Sequence, residues 1–133
     1  GLDRLDARIE AVADSLGVTA RLNQRTGGLS HGLRKRISIV RALIHEPSVL
    51  LMDEPESGLD QQAIDLLESV IGGLARSGRT VVMTTHSMSN ALSFGHRLAI
   101  LSGGVIVYEG ASVSAESETA AKLAYSMHTG VSA

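Results

Sequence analysis

The sequence predicts an α/β fold with a parallel-sheet core, and three observations carry that reading. An apolar run, Val49-Leu50-Leu51-Met52, follows a helical pattern that ends near His45. A second strand-like run spans Thr80 to Thr85. Between them lies an amphipathic helical pattern from Asp60 to near Gly78. Strand, helix, strand at this spacing is a right-handed βαβ crossover by strong default, which makes the two strands parallel.

From the N-terminus, Leu2, Leu5, Ile9, Val12 and Leu16 recur at helical spacing, with Asp3, Arg4, Asp6, Arg8, Glu10 and Asp14 mostly on the opposite side. This is an amphipathic helix with Gly17 placed to cap its C-terminus. Periodicity fades from Val18 to Gly28, which reads as a loop. Ser30 is a good N-cap for the next helix, whose apolar stripe is Ile37, Val40, Leu43 and Ile44. Arg34, Lys35, Arg36 and Arg41 occupy the rest of that helix and read as a solvated face rather than a phosphate or nucleic-acid patch. Pro47 stops the helix.

Val49 to Met52 is apolar on both faces, as expected of a central parallel strand. Asp60 can cap the crossover helix, whose Ala63, Ile64, Leu67, Val70, Ile71 and Leu74 should face inward. Thr80 to Thr85 is expected to be a second buried strand, and Ser87 can cap a short helix through Phe94. Arg97 to Leu101 and Val105 to Tyr108 read as strands joined by a Ser102-Gly103-Gly104 turn. A last helix is expected from about Glu116 to Met127, with a frayed tail beyond it.

At 133 residues the chain fits one domain, and its 44% hydrophobic and 20% charged residues describe a globular protein, not a disordered one. A formal charge of -2 supplies no footprint for nucleic acid or an anionic membrane. Having no cysteines, the chain can build neither disulfides nor thiolate metal sites. No span approaches the roughly 20 apolar residues that cross a bilayer. There is no internal repeat.

Chemistry is expected where the first strand ends, because ligands in open α/β sheets bind beyond the carboxyl ends of the strands. Asp53 and Glu54 stand there as neighbours, so their side chains point in different directions. One can serve a metal while the other serves a water. A lone Asp-Glu pair would read as a surface loop end, but this pair is flanked by the apolar run before it and Ser57-Gly58-Leu59-Asp60 after it. Upstream, Ser30 and Gly32 open a helix whose first amides lack intrahelical partners and suit a phosphate oxygen. His86 closes Thr84-Thr85-His86 at the end of the second strand. By itself it would read as a satisfied structural histidine. His31, His45, His96 and His128 are assigned no ligand, and no cluster has metal-site spacing.

Taken together, these runs resemble the ATPase subunits of ABC transporters. Leu29 to Leu33 is similar to the family's LSGGQ signature, Val49 to Glu54 to its Walker B strand with the catalytic glutamate, Ser57 to Asp60 to the D-loop, and His86 to the switch histidine. The resemblance implies a partial P-loop NTPase fold. Residues 1–46 would end a helical subdomain carrying the signature, 47–110 would form the Walker B half of the ATPase core, and 111–133 a C-terminal helix and tail. It implies that Asp53 holds Mg²⁺, through water, and that Glu54 polarises or deprotonates the water attacking the γ-phosphate of ATP. His86 would sense that phosphate and water. Ser30 and Gly32 would meet ATP bound to the opposite subunit of a head-to-tail dimer, and Asp60 would couple across the dimer. The implied partners are a second ATPase subunit and transmembrane transporter subunits, with no nucleic acid. The implied location is the cytoplasmic face of the cell membrane.

The sequence departs from the family pattern at His31 (for the first signature glycine), Leu33 (for glutamine) and Glu56 (for threonine). It also lacks the phosphate-gripping loop G-x-x-x-x-G-K-[ST], because its lysines are Lys35, after Arg34, and Lys122, after Ala121. In the family that loop and a glutamine loop lie well upstream of the signature. The chain is therefore expected to be the C-terminal portion of a longer ABC ATPase, inactive alone, poorly soluble, and exposing unpaired sheet edge and apolar surface. A second reading is a short ABC-like module that binds or regulates without catalysis. A third is a DNA-maintenance ABC ATPase, disfavoured because Leu2 to Leu16 is too short for a long coiled coil and basic surface is lacking. The run Leu29 to Asp60 with Met83-Thr84-Thr85-His86 resembles the haem-exporter, cytochrome c maturation type.

Overall fold

A computed structural model describes residues 2–111 and 114–130. The chain forms two compact units that meet in sequence at Thr84 and Thr85.

The first unit opens with helix α1 (Leu2–Ser15). Gly17 ends it as anticipated: its φ of 63° is open to glycine without strain, and the amides of Gly17 and Val18 close onto Asp14 O and Ala13 O at 2.9 Å. The following segment is less loop-like than expected. It contains two short 3₁₀ turns, Thr19–Arg21 and Thr26–Gly28, and buries Val18 and Leu29. Two apolar anchors eleven positions apart carry too little periodicity to be seen in sequence.

Helix α2 (His31–Ile44) starts at Ser30, whose hydroxyl accepts from Leu33 N at 3.3 Å. Its fully buried stripe is Ile39, Val40 and Leu43, with Ile37 and Ile44 half-buried, and it packs on α1. The expected solvated face holds for Arg34 and Arg41, which are exposed, and is corrected for Lys35 and Arg36, which are half-buried. Arg34 donates to Leu29 O at 2.7 Å, Arg36 to Leu16 O at 3.2 Å, and Lys35 Nζ to Glu54 O. Carbonyls at loop ends need donors, and long cationic side chains reach them without burying their charge fully. After α2, Glu46 takes a left-handed φ of 50° just ahead of Pro47, and its carboxylate meets Arg8 at 3.2 Å and Arg79 at 3.4 Å.

Strand β1 (Val49–Asp53), helix α3 (Gln61–Arg76) and strand β2 (Thr80–Thr84) follow. The strands pair in parallel, Val49 with Thr80 through Asp53 with Thr84. Asp60 Oδ1 accepts from Ala63 N at 2.9 Å, and Ala63, Leu67, Ile71 and Leu74 are buried along one stripe of α3, which packs on β2. Burial of both strands is corrected on one face. Leu50 is buried, but Leu51 is 74% exposed and Val49 and Val82 are each 53% exposed. Helix α3 packs on this two-stranded sheet, and among the described residues the sheet's other face is left open. The expected exposure of apolar sheet surface is thus present.

In the second unit, Ser87 caps helix α4 (Met88–Phe94) by accepting from Asn90 N at 3.2 Å. Strands β3 (Arg97–Ser102) and β4 (Val105–Ala111) form the expected antiparallel hairpin. Gly103 and Gly104, at φ 57° and 81°, supply the consecutive positive values that a tight right-twisting turn requires. Helix α5 (Ala115–Thr129) is longer than predicted at both ends, with Ser114 as N-cap and Gly130 left-handed after its C-terminus. It packs on the hairpin around Met88, Leu98, Ile100 and Ala121, flanked by Tyr108 and Tyr125. Of the tail expected to fray beyond Met127, His128 and Thr129 continue the helix, and residues 131–133 lie outside the described residues.

Candidate functional site

The C-terminal end of β1 presents Asp53 and then turns sharply at Glu54. One threonine organises both. Thr84, paired with Asp53 across the parallel ladder, donates its hydroxyl to Asp53 Oδ1. The same Oγ1 accepts from Glu54 N at 3.1 Å, and Glu54 N also reaches Thr84 O at 3.2 Å. A hydroxyl both donates and accepts, so a single side chain orients the carboxylate of one residue and the backbone of the next. Sequence reasoning passed over Thr84. Its signal was the parallel register, which places it opposite Asp53 once the strands are paired.

Glu54 has φ 42°, uncommon for a side chain with a Cβ. Its carbonyl accepts from Ser57 N at 3.1 Å, forming a turn, and from Lys35 Nζ. The residues that follow are tightly seated: Pro55 and Glu56 are buried. Glu56, which the resemblance sets where the family has threonine, stands at a position with little access to water.

The N-terminus of α2 packs directly on this loop. A Cβ built on Gly32 would lie 3.0 Å from Gly58 O, and one built on Gly58 would lie 2.8 Å from His31 Cδ2. Gly58 is therefore required twice, by its φ of 76° and by the imidazole lying against it. His31, which the resemblance sets at the first signature glycine, lies with its ring against Gly58. The loop then ends at Asp60, the α3 cap.

Five of the six residues singled out from sequence thus lie in the first unit. Ser30 and Gly32 begin the helix that packs on the loop, Asp53 and Glu54 stand at the strand end, and Asp60 closes the loop. His86 belongs to the second unit, two residues beyond Thr84, where its carbonyl accepts from Tyr125 Oη at 3.2 Å. Among the described residues no three carboxylate, histidine or cysteine side chains form a metal-sized cluster. The fit for Mg²⁺ is of another kind. That ion takes one or two carboxylates and completes its shell with water and substrate phosphates, and an exposed Asp53 carboxylate beside Glu54 suits it.

Residues 4–57 match the family model described as ABC transporter. Over 128 residues the chain is 35% identical to the ABC transporter ATP-binding protein NatA of Bacillus subtilis, covering 94% of this chain and 52% of that protein. It is 41% identical over 107 residues to the Nod factor export ATP-binding protein I of Rhizobium etli, covering 77% of this chain and 34% of that protein. Among solved structures, an ATP-binding cassette of an ABC transporter in its ADP conformation superposes with a TM-score of 0.74 at 23% identity, over 96% of this chain and 49% of its own. An inward-facing ABC transporter superposes with a TM-score of 0.70 at 29% identity, over 86% of this chain and 47% of its own. The fold is accordingly part of a P-loop NTPase domain of the ABC ATPase type. The two relatives are thus ATP-binding proteins, one of an ABC transporter and one of Nod factor export. The chain spans about half the length of NatA and about a third of the Nod factor export protein.

Proposed function

We propose that this chain is the carboxylate-bearing part of an ABC-type ATPase subunit that couples ATP hydrolysis to transport across a membrane, the triphosphate being gripped by polypeptide outside these residues. The single observation that carries the reading is the seating of the α2 N-terminus on the Glu54–Asp60 loop. One compact surface then offers helix amides, a metal-binding carboxylate and a second carboxylate for water, the groups phosphoryl transfer to water calls on.

In this reading Asp53, oriented by Thr84, would hold Mg²⁺, whose chemistry when bound would be neutralisation of charge at the phosphate oxygens. Glu54, its peptide fixed on both sides, orients the attacking water and accepts its proton. Ser30 and Gly32 face the γ-phosphate of a nucleotide carried by the opposite subunit, and Asp60 joins loop and helix at that interface. The resemblance assigns His86 the sensing of the γ-phosphate and the attacking water. The partners are a second ATPase subunit and membrane-spanning subunits, with the chain on the cytoplasmic face. No described helix is long and apolar enough to cross a membrane.

Incompleteness of the chain is part of the proposal. It is supported by the share of its relatives that it spans, the lack of a Gly-Lys pair, and the exposed Val49, Leu51 and Val82. The haem-exporter subtype rests only on the resemblance of Leu29 to Asp60 and Met83 to His86, since the relatives above carry other descriptions. Isothermal titration of the 133-residue chain with Mg-ATP tests the division of labour. No heat of binding at sub-millimolar nucleotide is expected, and sub-millimolar affinity would refute a grip supplied from elsewhere.

A further inference from the structure

The basic residues of α2 differ in what they hold. Arg34 and Arg36 reach the carbonyls of Leu29 and Leu16, which end loops beside α2 and α1. Lys35 reaches across to the peptide of Glu54, 19 residues away. That peptide is unusual in three ways. Its φ is 42°, a left-handed value that a glutamate adopts only when its surroundings enforce it. Its N–H is bound by Thr84 through both the carbonyl and the hydroxyl. Its carbonyl takes the amide of Ser57 and the half-buried ammonium of Lys35. Rotation about the Glu54 backbone would swing the carboxylate through several ångströms, and a charge-assisted bond from a rigid helix opposes that rotation better than a neutral turn bond can.

We propose that Lys35 is a positioning residue for Glu54, holding its peptide in the left-handed conformation and so aiming the carboxylate at the attacking water. The inference rests on Glu54 being the base. It also makes α2 a mechanical link. Ser30 and Gly32 at the start of the helix and Lys35 one turn later connect the phosphate-facing end to the water-orienting carboxylate, so a shift of α2 displaces Glu54. The methylenes of Lys35 span the helix-to-loop gap, and arginine can supply the same donor with different reach.

The test uses the full-length subunit with its membrane partners, as wild type, Lys35→Met, Lys35→Arg, Glu54→Gln and Lys35→Met/Glu54→Gln. Methionine keeps the length and apolar stem of lysine and removes the charge and donor. Lys35→Met is expected to lower kcat about 10-fold to 100-fold, the loss that misplacing a catalytic group produces. ATP affinity should stay within about twofold and Tm within about 2 °C of wild type. Lys35→Arg should recover part of the lost kcat. In the Glu54→Gln background, Lys35→Met should cost nothing further, because a residue acting through Glu54 has nothing left to aim.

A kcat within about twofold of wild type for Lys35→Met, or a loss that adds fully to that of Glu54→Gln, would overturn the inference while leaving the base assignment standing. A kcat loss that merely tracks a fallen Tm, unrescued by arginine, would reduce Lys35 to a structural staple. Unchanged turnover in Glu54→Gln alone would remove the base assignment, and the inference with it.

Discussion

Thr84 shows how much of the site depends on a single hydroxyl. It donates to Asp53 and accepts from Glu54, so Thr84→Val should release both at once, whereas Thr84→Ser keeps the hydroxyl. In the full-length subunit, valine is expected to cost about 1 kcal/mol of stability in chemical denaturation and to weaken Mg²⁺-dependent turnover. Serine should restore both, and a serine variant no better than valine would contradict that role. Gly58→Ala meets two obstacles, a φ of 76° and His31 at 2.8 Å. It should cost about 1 kcal/mol or more, and adding His31→Ala should recover only the steric share, leaving the backbone share in the double-mutant cycle. At this scale the sequence was legible where motifs carried it: Ser30, Asp53, Glu54 and Asp60 all stand at a helix start or strand end. Lys35 and Thr84 were not legible. One looked like any charge on a helix face and the other like any strand residue, because their partners are 19 and 31 positions away.

The helices and strands follow local rules closely enough to be read with few errors. Caps at Ser30, Asp60 and Ser87 all bind the amide three residues on, so polar residues at those positions set where α2, α3 and α4 begin. Asp60→Ala should therefore lower thermal stability by about 1 kcal/mol, read from a circular-dichroism melt of the full-length subunit, while Asp60→Asn should lose far less. Equal loss in the two would mean the capping bond contributes little. Errors arose where the cause was non-local. The 3₁₀ turns after α1 are held by Val18 and Leu29 in the core, and α5 runs to Thr129 because Gly130 provides the left-handed stop. The solvated reading failed for Lys35 and Arg36 because only tertiary structure shows which carbonyls lie within reach.

As a whole molecule, the chain has a sheet with one dressed face and one bare one. Leu51, the most exposed apolar residue of β1, separates two environments: 74% open in this chain, and covered by further elements if the chain is part of a longer ATPase domain. Leu51→Ala should then be near neutral in the isolated 133-residue chain and cost about 2–5 kcal/mol in the full-length subunit. Equal small effects in both would leave that face uncovered in the intact protein. Sequence pattern identified β1 as a buried central strand, and in this chain one face is bare. If the chain is part of a longer domain, as proposed, the pattern reflects a covered environment that this stretch alone does not rebuild.

Transport-coupled ATPase activity of the full-length subunit carrying Glu54→Gln is the measurement to make first. Turnover should fall at least about 100-fold while Mg-ATP still binds with near wild-type affinity. Wild-type turnover in that variant would show that the carboxylate beyond β1 takes no part in the reaction.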